Sequence, residues 1–391
     1  MQTETQKTIP FGKPIIGDEE RRAVADVLAG TTLTHGPKVK EFEAAFAEFT
    51  GAEHAIATAT CMAALHLAYL AIDLGPGDEV IVPAQTHVAT AHAVEACGGK
   101  PVFCDAEPRT GNIDLDLLEG LITERTRAIS LVHYIGKPVD MRRVMEIARK
   151  HDLYVVEDCA VALGARVDDV HVGLHGDIGC FSFYPVKHIT TGEGGMVITR
   201  RDDIAERVSK QRAFGIDKNV LADRRHTGAY EIEYLGLNYR LAEVNAAMGV
   251  EQMKRLPGFL EHRERIHGLL HAALSEIDGV APLDSDHDGH LRASHYCIVA
   301  MLEPPLDARR EELIERLKAK GIGTSVYYPK SLPDTAYYRG RYGYEPGSCP
   351  VATRISTTSV AFPVGPHVEE DDVVRIAASV KETISEMQAN G

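Results

Sequence analysis

Seven short apolar runs punctuate the first 200 residues: HAIATA at 54–59, DEVIVPAQ at 78–85, KPVFCD at 100–105, RAISLVHY at 127–134, LYVVEDC at 153–159, IGCFSFY at 178–184 and GMVITR at 195–200. Several are nearly unbroken in β-branched and other apolar residues, the pattern of strands covered on both faces. Segments with helical period lie between many of them. The clearest is MRRVMEIARKHD, where Asp140 can cap the first turn and Val144, Ile147 and Ala148 share a face. This alternation predicts an α/β domain with a mostly parallel central sheet.

Beyond Leu241 the rhythm changes. A long helical region through LAEVNAAMGVEQMKRL is followed by a second after Pro257, then a polar loop at 284–290. A strand-like SHYCIVAML, a helical RREELIERLKAKG and an amphipathic EEDDVVRIAASVKETISEMQ complete the chain. These patterns divide the protein into a large α/β domain over 1–249, with an N-terminal arm, and a smaller α+β domain over 250–391.

The charge balance narrows the function. Forty-two basic residues stand against 57 acidic ones, a net charge of −15, which argues against nucleic acid and against an anionic membrane surface as partners. No apolar run approaches the roughly 18 residues that a membrane helix needs, and MQTETQKTIPFGKP lacks the apolar core of a secretion signal. The seven cysteines are odd in number and scattered, without a Cys-x-x-Cys. The expectation is a reduced, cytoplasmic protein.

Common motifs do not fit. DSDHDG at 284–289 opens like a calcium loop, but the twelfth position is His295 instead of a glutamate. His171 and His175 are four apart without the His-Glu-x-x-His that would mark zinc. Neither a phosphate-binding P-loop nor a dinucleotide fingerprint is present. Basic residues such as Arg212, Arg224, Arg225, Lys330 and Arg339 could meet a diphosphate, although a solvated surface role suits any one of them better.

One constellation survives. Lys187 lies past the end of IGCFSFY, and Asp158 ends LYVVE in the same way; ligands of open α/β sheets collect beyond the carboxyl ends of strands. A carboxylate beside a pyridine nitrogen favours the protonated ring, and a lysine can hold pyridoxal phosphate covalently. The helix expected after Thr60 would offer free amides to a phosphate. Ser182 adds a hydroxyl five residues before Lys187, and Gly192, Gly194 and Gly195 suit a tight return into the next strand.

On GPGDEVIVP, KPVFCDAEPRTGNID, ITERTRAISLVHYIGKPVDM, EDCAVALGA, GDIGCFSFYPVKHITTGEGGMVIT and LGLNYRLAEVNAAMGVEQMKRL, the chain resembles the DegT/DnrJ/EryC1/StrS family of sugar aminotransferases. The resemblance covers most of the chain. It implies a pyridoxal-phosphate-dependent transferase of fold type I, a homodimer with its active sites at the subunit interface. Position by position, Lys187 would be the Schiff-base lysine and general acid–base, Asp158 the partner of the pyridine nitrogen, and Ser182 a phosphate ligand. Thr60, Cys61 and Met62 would form the phosphate helix, and His87 would stack on the cofactor. Asn238 would reach the phosphate from the neighbouring subunit.

Three positions depart from the family's habit. Cys61 and Met62 follow Thr60 where Ser-Gly-Thr is usual, Val161 replaces a polar residue, and Tyr327 stands where a histidine is common. A branch of the family with histidine at the lysine position removes a hydroxyl. Here the fifth residue after the serine is Lys187, and His188 is the next, so the resemblance implies transamination. The implied substrates are a keto-sugar, nucleoside-diphosphate-linked, and an amino-acid donor, glutamate. A keto-octulosonate or cyclitol substrate, or a non-catalytic regulatory descendant, are the alternatives.

Overall fold

The computed structural model describes residues 7–216, 230–284 and 289–389. All seven apolar runs become strands of one sheet: β1 His54–Thr58, β2 Glu79–Pro83, β3 Lys100–Cys104, β4 Thr126–Val132, β5 Tyr154–Asp158, β8 Ile178–Ser182 and β9 Gly195–Thr199. Their order is β1-β9-β8-β5-β4-β2-β3. Neighbours from β8 to β3 pair in parallel, and β9 runs against both β8 and β1. The strands are buried on both faces, which explains their unbroken apolar character. Between β5 and β8 a short hairpin, β6 Arg166–Val167 and β7 Val170–His171, pairs with β11 Leu291–Arg292.

The crossover helices form where their caps direct. Asp140 accepts from the amides of Arg142 at 3.1 Å and Arg143 at 3.5 Å, and the helix Met141–Lys150 buries Met141, Val144 and Ala148. Thr60 caps Cys61–Ala71 by accepting from the Ala63 amide at 3.0 Å. That helix is apolar nearly all round and packs against β8 and β9.

The C-terminal part holds a second sheet, β10 Val280–Pro282, β12 Cys297–Leu302 and β13 Ser359–Pro363 in the order β10-β12-β13, all antiparallel. The helices Arg310–Ala319 and Glu370–Ala389 supply Leu313, Leu317, Ile376 and Val380 to its core. The N-terminal arm joins this part, since Ile9 is buried and exchanges backbone hydrogen bonds with Gly321 and Gly323.

One expectation changes. The two helices anticipated around Pro257 are a single helix, Glu243–Ser275, with the proline inside it. A proline within a helix costs roughly 3 kcal/mol. Here the helix packs against Asp18–Ala29 and Pro37–Thr50 before the proline and Glu370–Ala389 after it, burying Met253 and Leu256 on one side and Ile266, Leu270 and Leu274 on the other. Burial of that many apolar side chains outweighs one missing N–H. The division expected at 249/250 therefore falls inside a continuous helix.

Candidate active site

The carboxyl ends of β5 and β8 open onto the same edge of the sheet, with the loop after β1 beside them. Asp158, the last residue of β5, sits between Val132 of β4 and Cys180 of β8. It is buried, and accepts from Thr90 Oγ1 at 2.8 Å and from the Ala160 amide at 3.0 Å. Thr90 is in turn 2.8 Å from Thr86 Oγ1, so the carboxylate is fixed by a short relay from the helix Val88–Ala96.

Lys187 follows β8 in a turn closed by its amide on the Tyr184 carbonyl at 2.9 Å. Its side chain is half-buried, and Nζ lies 5.2 Å from the centre of the Tyr296 ring. Burial pulls its ammonium below the ordinary lysine value, while Cys61, Asp158 and Cys297 oppose that shift. Burial pushes the Cys61 thiol far up, with Asp158 adding to it, and takes Cys297 to about 12. Both thiols are therefore neutral at pH 7, and Asp158 is the working counter-charge. His188 turns elsewhere: it is buried with Nε2 3.0 Å from the Ser294 carbonyl.

The start of the helix Cys61–Ala71 has a built floor. Thr58, Gly195 and Ser182 lie side by side across β1, β9 and β8. A Cβ on Gly195 would stand 2.5 Å from the Thr60 carbonyl oxygen and 2.7 Å from the Cys61 nitrogen, so only glycine lets β9 pass under the helix start. Thr60 Oγ1 satisfies the Ala63 amide, and the amides of Cys61 and Met62 lead the first turn, where an anion finds donors and a favourable dipole. Met62 is exposed. Ser182 Oγ is 3.4 Å from the Tyr184 amide.

His87 caps Val88–Ala96 through Nδ1, 3.2 Å from the Ala89 amide. Its ring centre is 5.9 Å from that of Tyr328. Burial lowers its pKa, and among charged groups it feels Asp158, Lys187 and His92. Tyr328 belongs to a wall of four tyrosines. Tyr327 Oη is 2.7 Å from Tyr296 Oη, and the Tyr327 carbonyl accepts from Gln85 Nε2 at 2.6 Å and from the Tyr134 hydroxyl. Val161 packs into this wall, beside Tyr134 and Tyr296.

Of the residues singled out in the sequence, the structure gathers Lys187, Asp158, Cys61 and His87 into mutual electrostatic reach, with Thr60, Met62 and Ser182 around the Gly195 floor. Asn238 is not part of this group within its own chain; it is exposed and bridges Ala213. Arg212 is no solvated cation, being buried against Glu43 at 2.6 Å and the Ala57 carbonyl at 2.6 Å. Lys330 and Arg339 are exposed, while Arg224, Arg225 and most of DSDHDG lie outside the described residues. Thr90, Tyr296 and Tyr328 had no signal in the sequence beyond their own composition.

A partly buried lysine whose free amine could form a Schiff base, a buried carboxylate within its electrostatic reach and a glycine floor beneath a helix N-terminus fit the donor set of pyridoxal phosphate. Fold and site together define a pyridoxal-phosphate-dependent enzyme of fold type I. The family model described as the DegT/DnrJ/EryC1/StrS aminotransferase family matches residues 14–381, and the chain belongs to that family. It is 35% identical over 381 residues to the spore coat polysaccharide biosynthesis protein SpsC of Bacillus subtilis, covering 96% of this chain and 97% of that one. Among solved structures, Spr1654 of Streptococcus pneumoniae in its PMP form superposes with a TM-score of 0.91 at 27% identity, over 97% of this chain and 99% of that chain. PseC of Helicobacter pylori, an aminotransferase involved in the biosynthesis of pseudoaminic acid, gives 0.90 at 28% identity, over 97% and 100%.

Proposed function

We propose that the protein transfers an amine from glutamate to a keto-sugar carried on a nucleoside diphosphate, producing an amino-sugar for polysaccharide or related biosynthesis. The observation that carries this reading is the meeting of Lys187 and Asp158 at the carboxyl edge of the sheet, above the Gly195 floor. The part of PseC, an aminotransferase, in pseudoaminic acid biosynthesis and that of SpsC in spore coat polysaccharide biosynthesis support a sugar as acceptor.

Pyridoxal 5'-phosphate is the cofactor, and when bound it supplies the electron sink that acidifies the carbon bearing the transferred amine. In this reading Lys187 Nζ holds it covalently and, once released, carries the proton. Burial lowers the pKa of the Lys187 ammonium, which favours the neutral form that can accept that proton. Asp158, oriented by Thr90 and Ala160, stabilises positive charge opposite it. The amides of Cys61 and Met62, with Ser182 Oγ, bind the phosphate. His87 and Tyr328 wall the site against water.

A second copy of the chain completes the site. Met62, Tyr184, Phe214, Ile232 and Leu235 are large apolar side chains left exposed on the single chain, and Asn238 is exposed in the segment that ends beside them. In the homodimer Asn238 reaches the phosphate of the other subunit. Seven unpaired cysteines suit a reducing cytoplasm, and among the described residues no helix is long and apolar enough to cross a membrane.

The test is a substrate panel. Protein loaded with the amine form of the cofactor is offered keto-sugars with and without a nucleoside diphosphate. Amine transfer to nucleotide-linked keto-sugars is expected; transfer only to free keto-sugar acids or cyclitol ketones would overturn the reading.

A further inference from the structure

An aromatic ring with no role so far assigned lies beside Lys187. Tyr296 is 4% exposed and rigidly held: its amide donates to the Ile135 carbonyl at 3.1 Å, and its carbonyl accepts from Arg263 at 2.9 Å. Its hydroxyl lies 2.7 Å from that of Tyr327, whose ring meets it edge-on with centres 5.5 Å apart. Tyr327 is pinned in turn by Gln85 and Tyr134, and Gln85 by the Ser356 hydroxyl at 3.0 Å. The ring therefore cannot turn aside. Lys187 Nζ sits 5.2 Å from its centre. Burial keeps the Tyr296 phenol protonated, so the ring presents a neutral aromatic face.

We propose that Tyr296 is a positioning residue for the acid–base amine: its ring face holds the Lys187 ammonium whenever that amine is free. The chemistry requires such a place. A released lysine carries four rotatable bonds and must stay near the reacting carbon in both charge states. Burial lowers the amine's pKa against the opposing pull of Asp158, and so weakens its hold on a proton until delivery. A ring face attracts the charged form specifically and draws little on the neutral one. The Tyr327 hydroxyl fixes the angle of that face and links it to the loop that carries Tyr328 to the His87 side of the site. Tyr296 thus balances the burial that lowers the Lys187 pKa.

This rests on the reading that Lys187 holds the cofactor and, once released, carries the proton; borohydride reduction of the holoenzyme tests the first of these separately. The test uses protein loaded with the amine form of the cofactor, in which Lys187 is free. Lys187 is labelled with acetic anhydride across pH and read by peptide mass spectrometry. In Tyr296→Leu the labelling midpoint moves to lower pH, so that the charged-to-neutral ratio at a fixed pH falls about threefold or more. Tyr296→Phe keeps the ring and the wild-type midpoint. Tyr296→Met replaces the leucine variant if the latter does not fold. A midpoint unchanged in the ringless variant overturns the proposal, even if labelling rises at every pH through easier access. So does a shift in Tyr296→Phe as large as in Tyr296→Leu. The midpoint reports on ring and amine whether or not the sugar substrate has been identified, so failure here is separable from failure of the proposed activity.

Discussion

Glu157 and Asp158 are neighbours on β5, both buried, and they lead opposite lives. Successive side chains of a strand face opposite sides. Glu157 faces the layer of the β6–β7 hairpin, where its oxygens accept from His133 Nε2 at 2.9 Å and from the amides of Gly173 at 2.7 Å, His175 at 2.9 Å and Gly176 at 2.7 Å. An ionised carboxylate has about four acceptor positions, and all are filled. His133 is itself complete, since Nδ1 accepts from the Val139 amide at 3.0 Å. Asp158 faces the site with two bonds, to Thr90 and Ala160, and keeps accepting capacity toward the space shared with Lys187. The lesson is that burial alone does not mark a functional acid. Saturated hydrogen bonding makes Glu157 a structural anchor, and incomplete hydrogen bonding leaves Asp158 able to act on a ligand.

The sharpest way to break this contrast is to neutralise each acid in turn. Asp158→Asn should lower kcat/KM by roughly 10²-fold, since a preorganised charge at the reacting group is lost, while the melting temperature barely changes. Glu157→Gln should do the reverse, costing about 3 kcal/mol of stability because a buried ion-supported network is left incomplete, with the folded fraction retaining turnover. Steady-state kinetics and urea titration on both variants check it; matching phenotypes would dissolve the distinction.

Acid should weaken the structural side. His171, at the end of β7, accepts from the Gly164 amide through Nε2 at 2.8 Å and donates to the Val172 carbonyl through Nδ1 at 2.6 Å. Protonation would set a proton against the Gly164 N–H, and burial accordingly lowers its pKa from 6.5 to about 4. The unfolded chain binds the extra proton first, so this contribution is complete above pH 6.5 and is lost as pH falls from 6.5 toward 4. The full loss is on the order of 3 kcal/mol. Urea midpoints measured from pH 7.5 to 4.5 should decline in the wild type and flatten in His171→Gln.

Smaller changes probe the floor and the relay. Gly195→Ala should cost about 1–3 kcal/mol through overpacking against Thr60 and should weaken phosphate binding, seen as faster loss of cofactor on dialysis. Thr90→Val removes one bond from Asp158 and should cost about 1 kcal/mol, read as a several-fold drop in kcat/KM with an unchanged fold.

Much of this was legible in the sequence, for identifiable reasons. Strands buried on both faces print as continuous apolar runs, so all seven strands of the central sheet could be read. Lys187 and Asp158 follow such runs directly, and strand ends are where α/β sheets bind ligands. Gly195 was readable as a tight return, though its specific obstacle, the Thr60 carbonyl, was not. Other features depend on contacts distant in the chain. Pro257 reads as a helix break locally, and only packing on three other helices shows that the helix continues. Arg212 reads as a surface cation until Glu43 is folded against it. Tyr296 lies 109 residues from Lys187 in sequence, and only the docking of β12 beside the site brings its ring to the amine.

The most direct test of the account is the identity of the amine that holds the cofactor. Borohydride reduction of the holoenzyme, digestion and mass spectrometry should place the phosphopyridoxyl group on Lys187 alone, and Lys187→Ala should carry none. A label on another lysine, or full turnover by Lys187→Ala, would contradict it.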